Sequence, residues 1–192
     1  MRVALQDKGL AVVGDRNPIL SLTVETLCTN GARILAPDQT GVPDILLVSF
    51  PLLPSDEAET GPQHGIAEGM AAEMAKSGHG RIVFLLSAIA AMPMRRHAGY
   101  AVGQAAALAR MRGLAMRHGP SVLVNAVGVG AIGNPLVAGD AAMVGHTAVR
   151  RAGTAREVAE TVLFLCDPAN TYLTGQMLAV DGGWSAGYGR NF

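Results

Sequence analysis

Residues 80–112 read GRIVFLLSAIAAMPMRRHAGYAVGQAAALARMR. The apolar run over 81–87, closed by a serine, predicts a buried strand of a parallel sheet. The Ala-rich run over 99–118 holds no proline and predicts a long helix. Ser87 thus ends a strand and Tyr100, thirteen residues on, opens a helix. Gln104 follows one helical turn later, so Tyr100 and Gln104 share a face. A phenol acts as an acid or base only if it can shed or supply a proton near neutral pH. An unperturbed phenol titrates near about 10 and needs a nearby cation to ionise at neutral pH. Gln104 is a neutral amide. The nearest cations in sequence are Arg95, Arg96 and His97, which read as a solvated basic loop.

Working outward, short apolar runs alternate with helical patterns. Strands are expected at 10–14, 33–36, 44–50, 81–87, 122–127 and 176–180, and helices at 18–30, 64–76, 99–118 and 155–166. Pro18 suits a first helical turn, where a missing N–H costs little. Gly31 suits a helix end. Residues 134–149 read as a loop with a short helix. This alternation predicts a doubly wound parallel α/β sheet with right-handed crossovers. No linker divides the chain, so one domain over 1–192 is expected.

Composition narrows the function classes. Nearly half the residues are apolar and only 4% aromatic, which makes the core one of Ala, Val, Leu, Ile and Met. Formal net charge is zero, which disfavours nucleic acid or an anionic membrane as partner. Cys28 and Cys166 fall in apolar helical contexts and read as buried thiols of a reducing, cytoplasmic protein. No run approaches a membrane span, no signal-peptide pattern opens the chain, and no metal-ligand cluster stands out.

The segment 80–112 resembles the catalytic segment of the short-chain dehydrogenase/reductase family. There a serine, a tyrosine and a lysine four residues after the tyrosine move a proton while a nicotinamide moves a hydride. The resemblance continues in Val124-Asn-Ala-Val127, in Arg151-Ala-Gly-Thr-Ala-Arg-Glu-Val-Ala159, and in Leu173-Thr-Gly-Gln-Met-Leu-Ala-Val-Asp-Gly-Gly183. It implies a Rossmann-like fold, catalytic positions at Ser87, Tyr100 and Gln104, and NAD(H) or NADP(H) as cofactor if any binds. Gly14, Asp38, Gly130, Ile132 and Asn134 are the matching cofactor-binding positions. It also implies a dimer or tetramer.

The N-terminal half departs from the family pattern. Gly14 lies 17 residues before Gly31, which puts Pro18 and Leu20 on the second and third positions of the phosphate-loop glycines. Proline removes a donor and leucine blocks close approach to a pyrophosphate. Asp38, 24 residues after Gly14, is either the acid that holds the adenine ribose or a turn aspartate. Too few residues separate Asp38 from Asp44-Ile-Leu-Leu-Val-Ser-Phe-Pro51 for the family's next helix and strand, so about one strand–helix unit is expected to be missing. Val-Ser-Phe-Pro replaces the NNAG segment, and no asparagine lies between Asn30 and Asn125 to serve as the family's fourth catalytic residue.

These losses point to a member with little or no dehydrogenase activity of its own. It would be kept as a homo-oligomer or as the silent subunit beside an intact paralogue. Ala105, Leu108, Ala109 and Met116 mark a helix face that packs either against a partner helix or on its own sheet. The alternative is a residual NAD(P)-dependent oxidoreductase acting on a carbonyl or hydroxyl substrate. A non-redox use of the scaffold, as in haloalcohol dehalogenases, needs an arginine where Gln104 stands. Trp184 reads as a tail packing residue or as part of a pocket wall.

Overall fold

The computed structural model describes residues 2–36, 41–55, 63–92 and 96–187. Six parallel strands form one sheet: β1 (Gly9–Gly14), β2 (Arg33–Ile34), β3 (Ile45–Ser49), β4 (Gly80–Ser87), β5 (Val122–Val129) and β8 (Met177–Val180), in the order β2-β1-β3-β4-β5-β8. Side chains of β3 are buried along its whole length, as both faces of the sheet are covered. Helices α1 (Pro18–Thr29) and α5 (Ala155–Cys166) pack together over one core, with Leu10, Leu47, Leu85 and Val127. Helices α2 (Gln63–Lys76) and α3 (Ala98–His118) cover the other, with Leu46, Val48, Phe84 and Val124.

The doubly wound reading holds, with two local corrections. The second strand is two residues long rather than four. The stretch after β5 is a small antiparallel hairpin, β6 (Ile132–Gly133) and β7 (Leu136–Ala138), followed by α4 (Ala141–Val144), rather than a loop with one helix. Ten residues separate β2 from β3, too few for a further helix and strand. The missing unit leaves β2 as the sheet edge, with both its residues exposed.

Chain order reverses between β1 and β3, because β2 lies on one side of β1 and β3 on the other. Beyond the carboxyl ends of those strands an open α/β sheet has its crevice. Ser87, at the end of β4, stands beside it. Three interior contacts fix the far end of this frame. Asn125 donates to Leu173 O at 2.8 Å and accepts from Gln176 N at 3.0 Å. Thr174 Oγ1 accepts from Val124 N at 3.0 Å. They hold the segment before β8 against β5.

Candidate active site

Ser87, Tyr100 and Gln104 come together, all of them buried. The strand end fixes Ser87, whose Oγ accepts from Ile89 N at 3.5 Å and caps the 3-10 turn of residues 88–91. The helix fixes Tyr100 and Gln104 on its inner face. The Ser87 hydroxyl lies near enough to the phenol to favour its ionised form. Gln104 does not face a ligand or solvent, as its sequence position suggested. Its Oε1 accepts from Ser87 N at 2.9 Å and its Nε2 donates to Pro51 O at 2.8 Å. The phenol donates to that same carbonyl at 2.9 Å. One backbone oxygen therefore accepts a hydrogen bond from both side chains.

The electrostatics follow from that packing. Burial pushes the Tyr100 phenol up to about 12, and the Asp15 carboxylate adds to the rise while the Ser87 hydroxyl opposes it. Trp184 packs against Ile89, Tyr100 and Ala101. The turn that presents Trp184 is held by Asp181, whose carboxylate accepts from Gly183 N and Ser185 N at 2.9 Å each. Trp184 is thus a half-buried packing residue.

The carboxyl end of β1 is equally occupied. Gly14 has φ +100°, and a Cβ there would lie 2.0 Å from Ser49 O, so glycine is required by the close approach of β3. Asp15 N donates to Ser49 O at 2.9 Å. Asn17 caps α1: its Oδ1 accepts from Leu20 N at 2.9 Å, and Pro18 follows at the first helical position with no N–H. Asn17 Nδ2 reaches Asp15 Oδ2 and Ser49 Oγ, at 3.2 Å each. The helix N-terminus is closed by its own chain.

Leu52 is buried in the core beside Ile132 and Ala138, and Leu52 O accepts from Gly139 N at 2.9 Å. The hairpin thereby closes over residues 51–53. A cavity of about 360 Å³ remains, lined by Asp15, Asn17, Pro51, Leu53, Leu136 and Val137 among others.

The remaining expected cofactor positions are scattered. Gly130 packs so closely on Asp181 that a Cβ would lie 2.6 Å from Asp181 Cα. Ile132 is buried core. Asn134 is exposed at the tip of the hairpin and lines a separate outer groove with Arg151 and Thr154, away from the phenol. Asp38 and Arg95 lie outside the described residues, while Arg96 is exposed. Among the described residues no group of three metal-capable side chains gathers, and no helix is long and apolar enough to cross a membrane.

Sequence reasoning did not find Pro51 or Asn17 as parts of this site, and it singled out Trp184 without linking it to Tyr100. The Asn-Pro pair at 17–18 is a readable cap signal. The Pro51 contribution is a backbone carbonyl, which no side-chain pattern reveals.

The enoyl-(acyl carrier protein) reductase family model matches residues 62–185. The short-chain reductase protein NovJ of Streptomyces niveus is 37% identical over 123 residues, covering 57% of this chain and 47% of the relative. The 7alpha-hydroxysteroid dehydrogenase of Escherichia coli K12 is 33% identical over 125 residues, covering 62% and 49%. The chain spans about half the length of the curated relatives it matches. A gluconate 5-dehydrogenase from Burkholderia cenocepacia, solved with NADP and tartrate, shares the fold with a TM-score of 0.78 at 20% identity, over 97% of this chain and 98% of that one. Together with the six-stranded parallel sheet and the buried Ser87–Tyr100 pair, the match over residues 62–185 makes this chain a member of the short-chain dehydrogenase/reductase family.

Proposed function

We propose that this chain is a catalytically impaired member of the family that serves as an oligomer-forming subunit, as a homo-oligomer or beside an intact paralogue. The observation that carries the reading is the shared Pro51 carbonyl. Tyr100 and Gln104 both direct their donors to it, at 2.9 and 2.8 Å. A phenol raised to about 12, with a neutral amide in place of a cation, is a poor acid–base catalyst near neutral pH.

The residues present do not fit a dinucleotide. A pyrophosphate at the start of α1 would meet Pro18, which has no N–H, and Leu20 N, already bonded to Asn17. It would also meet the Asp15 carboxylate, a like charge. No catalytic step is therefore routed through such a cofactor.

Two features support an oligomer. Gly65 and Gly69 on α2 have open space where a Cβ would stand. Each helix glycine disfavours the helix by about 1 kcal/mol relative to alanine, and nothing inside the subunit requires either one. Close approach of a second copy would. Val102 and Met116 on α3 are 69% and 82% exposed, and Ala105 and Ala109 on the same face are exposed as well. Leu108, expected on that face, is instead buried in its own subunit.

A residual NAD(P)-dependent oxidoreductase is the second reading, favoured by the retained Ser87 and Tyr100 side chains, buried together beside the crevice. It needs residues 51–53 to leave the phenol. Light scattering on the purified chain, run beside turnover with NADH and NADPH on a carbonyl panel, separates the two. A dimer or tetramer without turnover supports the first reading, and a stable monomer with steady turnover overturns it.

A further inference from the structure

At the amino ends of the strands, opposite Ser87, a cavity of about 280 Å³ has Lys8, Asp44, His79, Arg81, Ser121 and Thr171 in its wall and an apolar floor that includes Cys166. None of its lining residues belongs to α2 or α3. Arg81 occupies the row of β4 that continues through Val83 and Leu85 into the core beneath α5. Its neighbours across the sheet are Ile45 and Leu123. A cation half-buried in an apolar row is costly unless it is paired.

Arg81 is only partly paired. Its Nη1 donates to Leu165 O at 3.4 Å and its Nη2 to Pro168 O at 3.3 Å, both long for a guanidinium. Its remaining N–H groups meet no acceptor among the described residues, and no carboxylate there forms an ion pair with it. Burial disfavours its charge, and the Asp167 carboxylate offsets only part of that. The carboxylate in the cavity wall is already committed. Asp44 Oδ1 accepts from Lys8 Nζ at 3.0 Å and Oδ2 from Gly9 N at 2.8 Å, with His79 Nδ1 3.6 Å from Oδ1. The Ser121 and Thr171 hydroxyls form no hydrogen bond among the described residues. The wall thus offers more donors than acceptors, and one guanidinium beyond the Lys8–Asp44 pair.

We propose that the cavity at the amino ends of β3, β4 and β5 binds a small oxyanion, a phosphate or a carboxylate, on the Arg81 guanidinium and the Ser121 and Thr171 hydroxyls. A guanidinium presents paired N–H groups that match two oxygens of either anion. The hydroxyls supply donors from two further segments, the turn into β5 and the turn before β8. Lys8 holds Asp44 neutralised, so that carboxylate does not repel the ligand. The site lies at the other end of the strands from the Ser87–Tyr100 pair and does not rest on the subunit role.

The test is thermal unfolding across a titration of inorganic phosphate and, separately, of butyrate, each against chloride at equal ionic strength. The wild type is compared with Arg81→Gln, which keeps a donor for the end of α5, and with the double variant Ser121→Ala/Thr171→Val, whose side chains bond nothing among the described residues. At ten times Kd the oxyanion raises the wild-type Tm by about 3–6 °C, and the rise saturates. Arg81→Gln weakens binding by about ten-fold or more, and the double variant by about three-fold. The double variant carries the test if Arg81→Gln fails to fold. A response to phosphate alone assigns the site to phosphoryl groups, and one to butyrate alone assigns it to carboxylates. A shift no larger than that in chloride, or a Kd unchanged in either variant, overturns the proposal.

Discussion

Replacing Gln104 by leucine tests whether that side chain is a structural bridge or a vestige facing a ligand. Leucine conserves most of the volume and removes both polar atoms. Two consequences differ in kind. Pro51 O keeps a donor, because Tyr100 still reaches it at 2.9 Å. Ser87 N, which donates to Gln104 Oε1 at 2.9 Å in a fully buried setting, is left without that acceptor. An orphaned buried donor costs about 1–3 kcal/mol, and the lost bond to Pro51 adds about 1 kcal/mol. The expected loss is therefore about 2–4 kcal/mol, a large part of the stability of a single domain. Urea unfolding read by the sole tryptophan, Trp184, which packs against Tyr100, measures it through the midpoint at unchanged slope. Tyr100→Phe alone should cost less, since Gln104 still serves Pro51. The double variant should cost more than the two single losses together, because the carbonyl then loses both donors. A Gln104→Leu protein within about 0.5 kcal/mol of wild type, or strict additivity in the double variant, would refute the bridge.

Three further outcomes follow from the same structure. The native Tyr100 phenol keeps its proton up to about pH 12, whereas the unfolded chain releases it near about 10; stability is unaffected below that window and falls by up to about 3 kcal/mol as pH rises through it. Alkaline unfolding should show that slope in the wild type and lose it in Tyr100→Phe. Cys166, buried and pushed up to about 12 by that burial, should resist iodoacetamide in the native protein and react on unfolding; prompt native labelling at Cys166 would contradict its place in the core. Gly14→Ala should destabilise by at least about 2 kcal/mol, because φ +100° and the approach of Ser49 O both exclude a Cβ. Thermal unfolding at neutral pH reads that loss directly.

Much of the fold was legible because a buried parallel strand and an amphipathic helix write different periods into the sequence. The runs that became β3, β4 and α5 show this, with α5 placed residue for residue. The hairpin at residues 132–138 was not legible. Its two strands are short, and they pair with each other rather than with the main sheet. The site was legible as a set of side chains, and Ser87, Tyr100 and Gln104 do meet. What they meet was not. The decisive acceptor is the backbone oxygen of Pro51, and which backbone group a buried amide finds depends on how the shortened chain crosses the crevice. Gly14 and Gly130 show the same limit from the other side. Both match the family's cofactor positions, yet each is required here by contact with its own chain, at Ser49 and Asp181.

Titrating NADPH and NADH into the purified chain by calorimetry addresses the closed crevice most directly. The account predicts no saturable heat for either nucleotide up to about millimolar concentration, since α1 is capped by Asn17 and the phenol and amide are bonded to Pro51. Saturable binding with a micromolar Kd would contradict it, and would mean that residues 51–53 yield to the cofactor.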